Sequence, residues 1–386
     1  MSAGTHVDRS APAVDRTGTR IIDADGHIVE TDETFADVPA RYAHHIPRPE
    51  ATDGGFRYVS GDRAGFTIAA HPDTVGAPGA TIGADQPLDA PLVARGGSDP
   101  AGRLLDLDVD GISMAALYPT YGLMIQGVTD DAAASALCRS LNDWLADYCR
   151  HDPERLLPVA TLPMTTPESA VAEAERCLDL GFVGTWRRPE RFDGVAALHD
   201  PGHERLFALL ADADRPLAIH PGLNGVVPYG YFGERFDDDY SAMHAAHFPV
   251  EQMMNLTSLV AFGILERHPT LRVALLETGA TWLPFYAHRL DEHLETFGFP
   301  VELSTKPSEQ IRRQVYVSVE EPEPGLATML ESYGRNVVFA SDYPHGDGTF
   351  PGSTDDLLAT TEIDEQARER IFWANARALY GLDPRP

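Results

Sequence analysis

Four short segments place metal-competent side chains directly after apolar runs. Arg20-Ile21-Ile22-Asp23-Ala24 leads into Asp25-Gly26-His27; Leu217-Ala218-Ile219 ends at His220; Val273-Ala274-Leu275-Leu276 ends at Glu277; Val338-Phe339-Ala340-Ser341 ends at Asp342. An extended Asp-x-His pair points both side chains to one side, because the strand repeat is two residues. A single Asp or His after a strand is commonly a turn former or helix cap. Four such ends together are harder to explain that way, since buried charge is costly unless it is paired or bound to metal. Imidazole nitrogen mixed with carboxylate oxygen suits zinc, iron, manganese or cobalt better than calcium.

Further groups could complete such a site. His244 and His247 follow the strand that ends at His220, and His247 is the better candidate for contact with metal or substrate. His345, three residues past Asp342, could orient that carboxylate or touch substrate. Arg187 and Arg188 follow another apolar run; Arg187 could grip a substrate carboxylate through two parallel hydrogen bonds. Glu277 has three open roles: metal ligand or bridge, general base, or a partner that orients the His220 ring.

These residues need elements that bring them together. Counting from residue 21, eight short apolar runs read as strands, and most are followed by a helical pattern: 112–118 precedes a helix over 131–150, 156–162 a helix from Pro167 to about Leu180, and 182–186 a helix around 203–212. Strands follow at 217–220, 271–277, 315–319 and 337–340, with helices at about 250–267, 282–296 and 324–333, and helical stretches near 353–359 and 364–380 close the chain. Short Val-, Ile-, Leu- and Ala-rich runs alternating with helices predict a parallel sheet, and eight such units predict a closed (β/α)8 TIM barrel in the α/β class. A doubly wound open sheet is the structural alternative. In a barrel the C-terminal strand ends converge on one face, which would gather the four segments. Residues 45–100, rich in Pro and Gly, read as an excursion over the mouth with some local structure, and 222–247 as a long loop. Residues 20–383 are expected to form one domain behind a disordered tail at 1–19.

Composition narrows the partners. The 386 residues carry 59 acidic against 30 basic side chains, a formal charge of −29, which argues against nucleic acid and anionic membranes as partners. The first residues lack the apolar segment of a secretory signal, and no apolar run reaches the length of a membrane span. Cys138, Cys149 and Cys177 form no CxxC pair and no disulfide pattern, so a cytoplasmic enzyme acting on a small molecule is expected.

The stretches IIDADGHIVE (21–30), LAIHPG (217–222), GILERHPTLRVALLETGATWLPFYAHRLDE (263–292), FASDYPHGDGTFPGS (339–353) and IFWANARALYGL (371–382) resemble the amidohydrolase superfamily. Within it they resemble the amidohydrolase-related group that includes aminocarboxymuconate-semialdehyde and γ-resorcylate decarboxylases. The resemblance implies a metal-dependent barrel of the hydrolase type with long loops over its C-terminal face. It implies a divalent ion, zinc or iron, held at Asp25, His27, His220, Glu277 and Asp342. The usual His-x-His of the first strand is Asp25 and His27 here, and Glu277 stands where many members have histidine. No lysine occupies the fourth strand, Gly184-Thr185-Trp186-Arg187-Arg188, so a carbamylated-lysine bridge is excluded. The activity implied is hydrolysis or non-oxidative decarboxylation of a carboxylate-bearing substrate, with Asp342, Glu277, His220, Arg187, His247 and His345 as catalytic candidates. The carboxylate replacements leave one or two ions open. With two irons, the resemblance extends to a branch of non-haem diiron monooxygenases acting on coenzyme A thioesters. A barrel that binds metal without catalysis is a third reading. Family members often form dimers, so a homodimer is an open expectation.

Overall fold

The computed structural model describes residues 18–65, 68, 95–190, 195–222, 231–237 and 239–382. Most of the expected tail, and parts of the excursion and of the 222–247 segment, lie outside these residues. Eight parallel strands follow one another around a sheet: β1 (Ile22–His27), β5 (Met114–Tyr118), β6 (Leu156–Thr161), β7 (Gly184–Arg187), β8 (Leu217–Ile219), β9 (Val273–Leu275), β10 (Val315–Val319) and β11 (Val337–Phe339). The order is sequential, as a (β/α)8 barrel requires. The seam between first and last strands is closed just beyond β11, where His27 N donates to Tyr343 O (2.7 Å) and Asp342 N to Asp25 O (3.0 Å). The open-sheet alternative is thereby set aside.

Alternation along the strands separates two cores. Ala116, Ala218, Ala274 and Val338 point inward with Tyr118 and Trp186, small residues leaving room for the two large rings. Leu117, Leu217, Ile219, Val273, Val317 and Phe339 point outward and pack under the helices. The outer layer includes α1 (Pro100–Asp110), α2 (Asp131–Cys149), α3 (Pro167–Asp179) and α4 (Glu204–Ala213). Asp99, Asp130 and Thr166 each cap the helix that follows by accepting a backbone N–H. The cysteines lie buried and unpaired in α2 and α3, a placement that fits the helical reading of those stretches.

Two segments differ from expectation. The excursion contains a small antiparallel sheet, β2 (Arg48–Thr52), β3 (Gly55–Ser60) and β4 (Arg63–Ala64). The expected loop after β8 is largely helical where it is described: α5 covers Tyr231–Phe236 and α6 runs Tyr240–Ala261. The sequence predicts a helix start near residue 250, but Asp239 is the cap, accepting Ala242 N at 2.8 Å, and Pro249 sits inside α6. Beyond α6 come α7 (Ile264–Arg267), α8 (Leu283–Phe297), α9 (Pro307–Gln314) and α10 (Leu326–Tyr333), then α11 (Asp355–Ala359), α12 (Glu365–Glu369) and α13 (Asn375–Tyr380). Among the described residues no helix is long and apolar enough to cross a membrane.

Candidate metal centre

The register of β1 against β5 shifts between Asp23 and Gly26. Such a shift re-aims the side chains beyond it. Ile22 and Ala24 belong to the inner core, and past the shift Asp25 and His27 also meet groups across the barrel, while Asp23 accepts from Ser341 N (3.0 Å) and Ser341 Oγ (2.6 Å). Burial pushes the Asp23 carboxyl up to about 6 despite the Arg103 guanidinium. Arg103, fully buried, donates to His27 O at 2.8 Å and lies over the Tyr343 ring, tying β1 to the segment after β11.

Asp25, His27 and His220 are buried together. His27 Nδ1 is 2.8 Å from Pro119 O, and His220 Nδ1 is 2.5 Å from Pro221 O. A carbonyl only accepts, so each Nδ1 carries a proton, and it is each Nε2 that faces the barrel axis as the nitrogen able to bind a metal. The two Nε2 atoms stand 3.1 Å apart. Asp25 Oδ1 lies 3.6 Å from one and 3.4 Å from the other, and this buried oxygen accepts no hydrogen bond. Two ring nitrogens and an unsatisfied carboxylate oxygen converge on one point, where a cation would satisfy all three. Burial and the neighbouring His345 lower His27 to about 4, which keeps its ring neutral.

Asp342 borders the same point, its Oδ1 3.2 Å from His27 Nε2 and 2.8 Å from His345 Nδ1. Burial alone would raise the Asp342 carboxyl, but the His345 ring against it holds it well below the usual carboxylate range. His345 stacks on His27 with ring centroids 4.0 Å apart, and its Nε2 is 2.9 Å from Thr120 Oγ1. That hydroxyl donates to Ile28 O at 2.7 Å, so it accepts from His345 Nε2. With Nδ1 donating to Asp342, the ring carries both protons. Burial opposes that charge, yet Asp342 raises His345 to about 9.

The loop after β5 supplies both Pro119 O and Thr120. Glu30, 5% exposed, anchors it by accepting from Thr120 N (3.2 Å), Tyr121 N (2.8 Å) and Gly122 N (2.6 Å). Sequence reading passed over Glu30, because a carboxylate three residues after His27 looks like a surface turn residue.

Glu277 meets His220 from the other side, its Oε2 3.5 Å from His220 Nδ1. It does not join the inner ligand atoms but clusters with His244 and Asp347. Burial first, then Asp342, Asp347, Asp25 and Glu320, push its carboxyl well above the ordinary range.

Two expected residues are not brought to this point. Trp186 fills the inward position of β7 and donates to Thr161 Oγ1 at 3.0 Å, so Arg187, one residue on, lies on the outer side. Its Nε donates to Arg188 O, Nη1 makes no hydrogen bond, and burial lowers it to about 10. A substrate clamp in the barrel mouth is therefore not available from Arg187. His247, on α6, lies 3.3 Å from Glu190 Oε1, beside the buried Arg188–Glu190 pair, rather than with the inner cluster. Burial lowers it to about 4.

The sequence model of the Amidohydrolase family matches residues 22–382. The γ-resorcylate decarboxylase of Rhizobium radiobacter is 27% identical over 295 residues, covering 73% of this chain and 87% of its own. An amidohydrolase from Mycobacterium avium subsp. paratuberculosis superposes with a TM-score of 0.77 at 22% identity, covering 94% of this chain and 100% of its own. The 5-carboxyvanillate decarboxylase of Novosphingobium aromaticivorans, solved with manganese and a nitrobenzoic acid, gives 0.66 at 21% identity, covering 95% and 97%.

Proposed function

Since the chain belongs to the amidohydrolase family, we propose that it is a metal-dependent enzyme that removes CO2 from a small organic acid without oxidation. The single observation that carries the metal reading is the convergence of His27 Nε2, His220 Nε2 and the unsatisfied Asp25 Oδ1 on one point, with Asp342 at its edge. These four residues would hold a divalent cation. Zinc and iron suit such donors, and the manganese of the Novosphingobium relative adds a third candidate that tolerates a carboxylate-rich set. When bound, the ion supplies Lewis acidity to an oxygen of the substrate or to water.

The chain's own groups supply the rest. Decarboxylation breaks a carbon–carbon bond, releases CO2 and leaves the electron pair on a carbon that must then take a proton. The Asp342–His345 pair stores one: the doubly protonated ring donates to the carboxylate that faces the ion site. Glu30 and Thr120 keep this pair in place through the loop after β5. Tyr118 and Trp186 pack fully buried beneath the His27 and His220 rings and hold the floor of the site in place. Hydrolysis would use the same pair to accept a proton from water. The decarboxylase relatives favour the first reaction. They lend the diiron monooxygenase reading no support.

A panel of hydroxybenzoic and unsaturated carboxylic acids, offered to the Mn(II)-loaded enzyme in D2O, tests this. The expected result is CO2 release with one deuterium at the carbon that lost it. Products that have gained the elements of water, with no CO2, would overturn it in favour of hydrolysis.

A further inference from the structure

The mouth gathers more carboxyl groups than one inner cation would serve. Asp25, Asp342, Asp347 and Glu320 all act electrostatically on Glu277. Among the described residues, no arginine or lysine forms an ion pair with any of these five carboxylates. Arg187, at the C-terminal end of β7, lies on the outer side of that strand.

Three side chains beside the inner cluster offer ligand atoms that all lie within 4.8 Å of one another: His244, Glu277 and Asp347. They come from α6, from the end of β9 and from the loop after β11, so only the barrel brings them together. His244 Nε2 is 3.6 Å from Asp347 Oδ2, and its ring is held between Tyr240 and Phe248, with centroids 5.7 and 4.3 Å away. Glu277 Oε2 is out of contact with solvent and accepts no hydrogen bond. A buried carboxylate oxygen in that state calls for a cation. The same oxygen lies 3.5 Å from the His220 ring, so Glu277 stands between the two clusters.

We propose that His244, Glu277 and Asp347 form a second divalent-cation site at the barrel mouth, outside the inner site of His27 and His220. This rests on the metal reading given above and adds ligands to it. One imidazole and two carboxylates are a donor set that Mn(II), Zn(II) or Fe(II) accepts. His244 and Asp347 are 33% and 47% exposed, so this ion exchanges with solvent more readily than the inner one. Its charge offsets the mouth carboxylates, which among the described residues pair with no arginine, and gives an anionic substrate group a cation to approach.

The test is titration of the chelator-stripped full chain with Mn(II) alone, counting bound ions by loss of the free-ion electron paramagnetic resonance signal. Wild type should bind two ions per chain, one more weakly. Asp347→Asn and His244→Gln should each weaken the second ion roughly tenfold or more and leave the first unchanged. His27→Ala should remove the tighter ion, which reads the inner site separately. Circular dichroism checks that each variant is folded; His244 and Asp347 are partly exposed, so their replacement spares the core. One ion per chain in wild type, or two that neither outer variant weakens, would overturn the second site while leaving the inner one standing. No bound Mn(II) in wild type would overturn both.

Discussion

His27 and His220 turn the same ring nitrogen toward each other, Nε2 to Nε2 at 3.1 Å, while each commits Nδ1 to a backbone carbonyl. The carbonyls of Pro119 and Pro221 hold the Nδ1 sides, so both Nε2 atoms face a point that Asp25 Oδ1 also faces. A divalent cation at that point would take up both ring nitrogens together with the Asp25 oxygen.

Replacing either ring should therefore cost the metal before the fold. His220→Ala should lower affinity for the inner ion by roughly a hundredfold or more, and activity with it. Isothermal titration with Mn(II) beside thermal melting checks this: melting of the metal-free variant should stay close to that of metal-free wild type.

Asp342→Asn removes the proton-bearing partnership with His345 without changing side-chain size. A loss in kcat of about 10² to 10⁴, with a smaller change in KM, is expected. Equal loss through KM alone would show that Asp342 only binds.

Glu30→Ala leaves the N–H groups of Thr120, Tyr121 and Gly122 without their acceptor. Buried donors left unsatisfied cost about 1–3 kcal/mol each, partly recovered by relaxation, so a total of about 3 kcal/mol is expected in urea unfolding. Glu30→Gln, which keeps a carbonyl acceptor, should cost less.

Glu251 gives a pH signature. Burial first, then the Glu190 carboxylate, raise its carboxyl from 4.5 to about 7, against the lowering effect of Arg188. The folded state thus holds a proton that the unfolded chain releases. Its contribution favours folding below pH 4.5, is lost as pH rises through about 7, and stays flat above. Glu251→Gln should remove that slope and stabilise the protein at pH 8 by about 1–3 kcal/mol, measured by denaturant titration across the pH range.

Much of this was legible in the chain. Eight apolar runs gave the barrel, and Asp25, His27, His220 and Asp342 could be picked out because each ionisable group directly follows such a run. What failed is local register. Arg187 and Trp186 differ by one residue, and nothing in Gly184-Thr185-Trp186-Arg187 says which faces inward until Thr161 is seen accepting the indole N–H. The shift within β1 is equally hidden, although it decides the aim of Asp25. His244 and His247 both read as loop residues in the sequence, whereas α6 carries both and turns His244, not His247, toward Glu277 and Asp347. Asp347 meets His244 across 103 residues of sequence, and no local spacing announces such a meeting.

Anomalous diffraction from crystals of the full chain grown with Mn(II) tests the central claim most directly. The account predicts a manganese peak in bonding contact with His27 Nε2 and His220 Nε2, with Asp25 and Asp342 beside it, and no such peak in His27→Ala. Crystals with Mn(II) bound elsewhere, or with the two rings hydrogen-bonded to each other around an empty point, would contradict it.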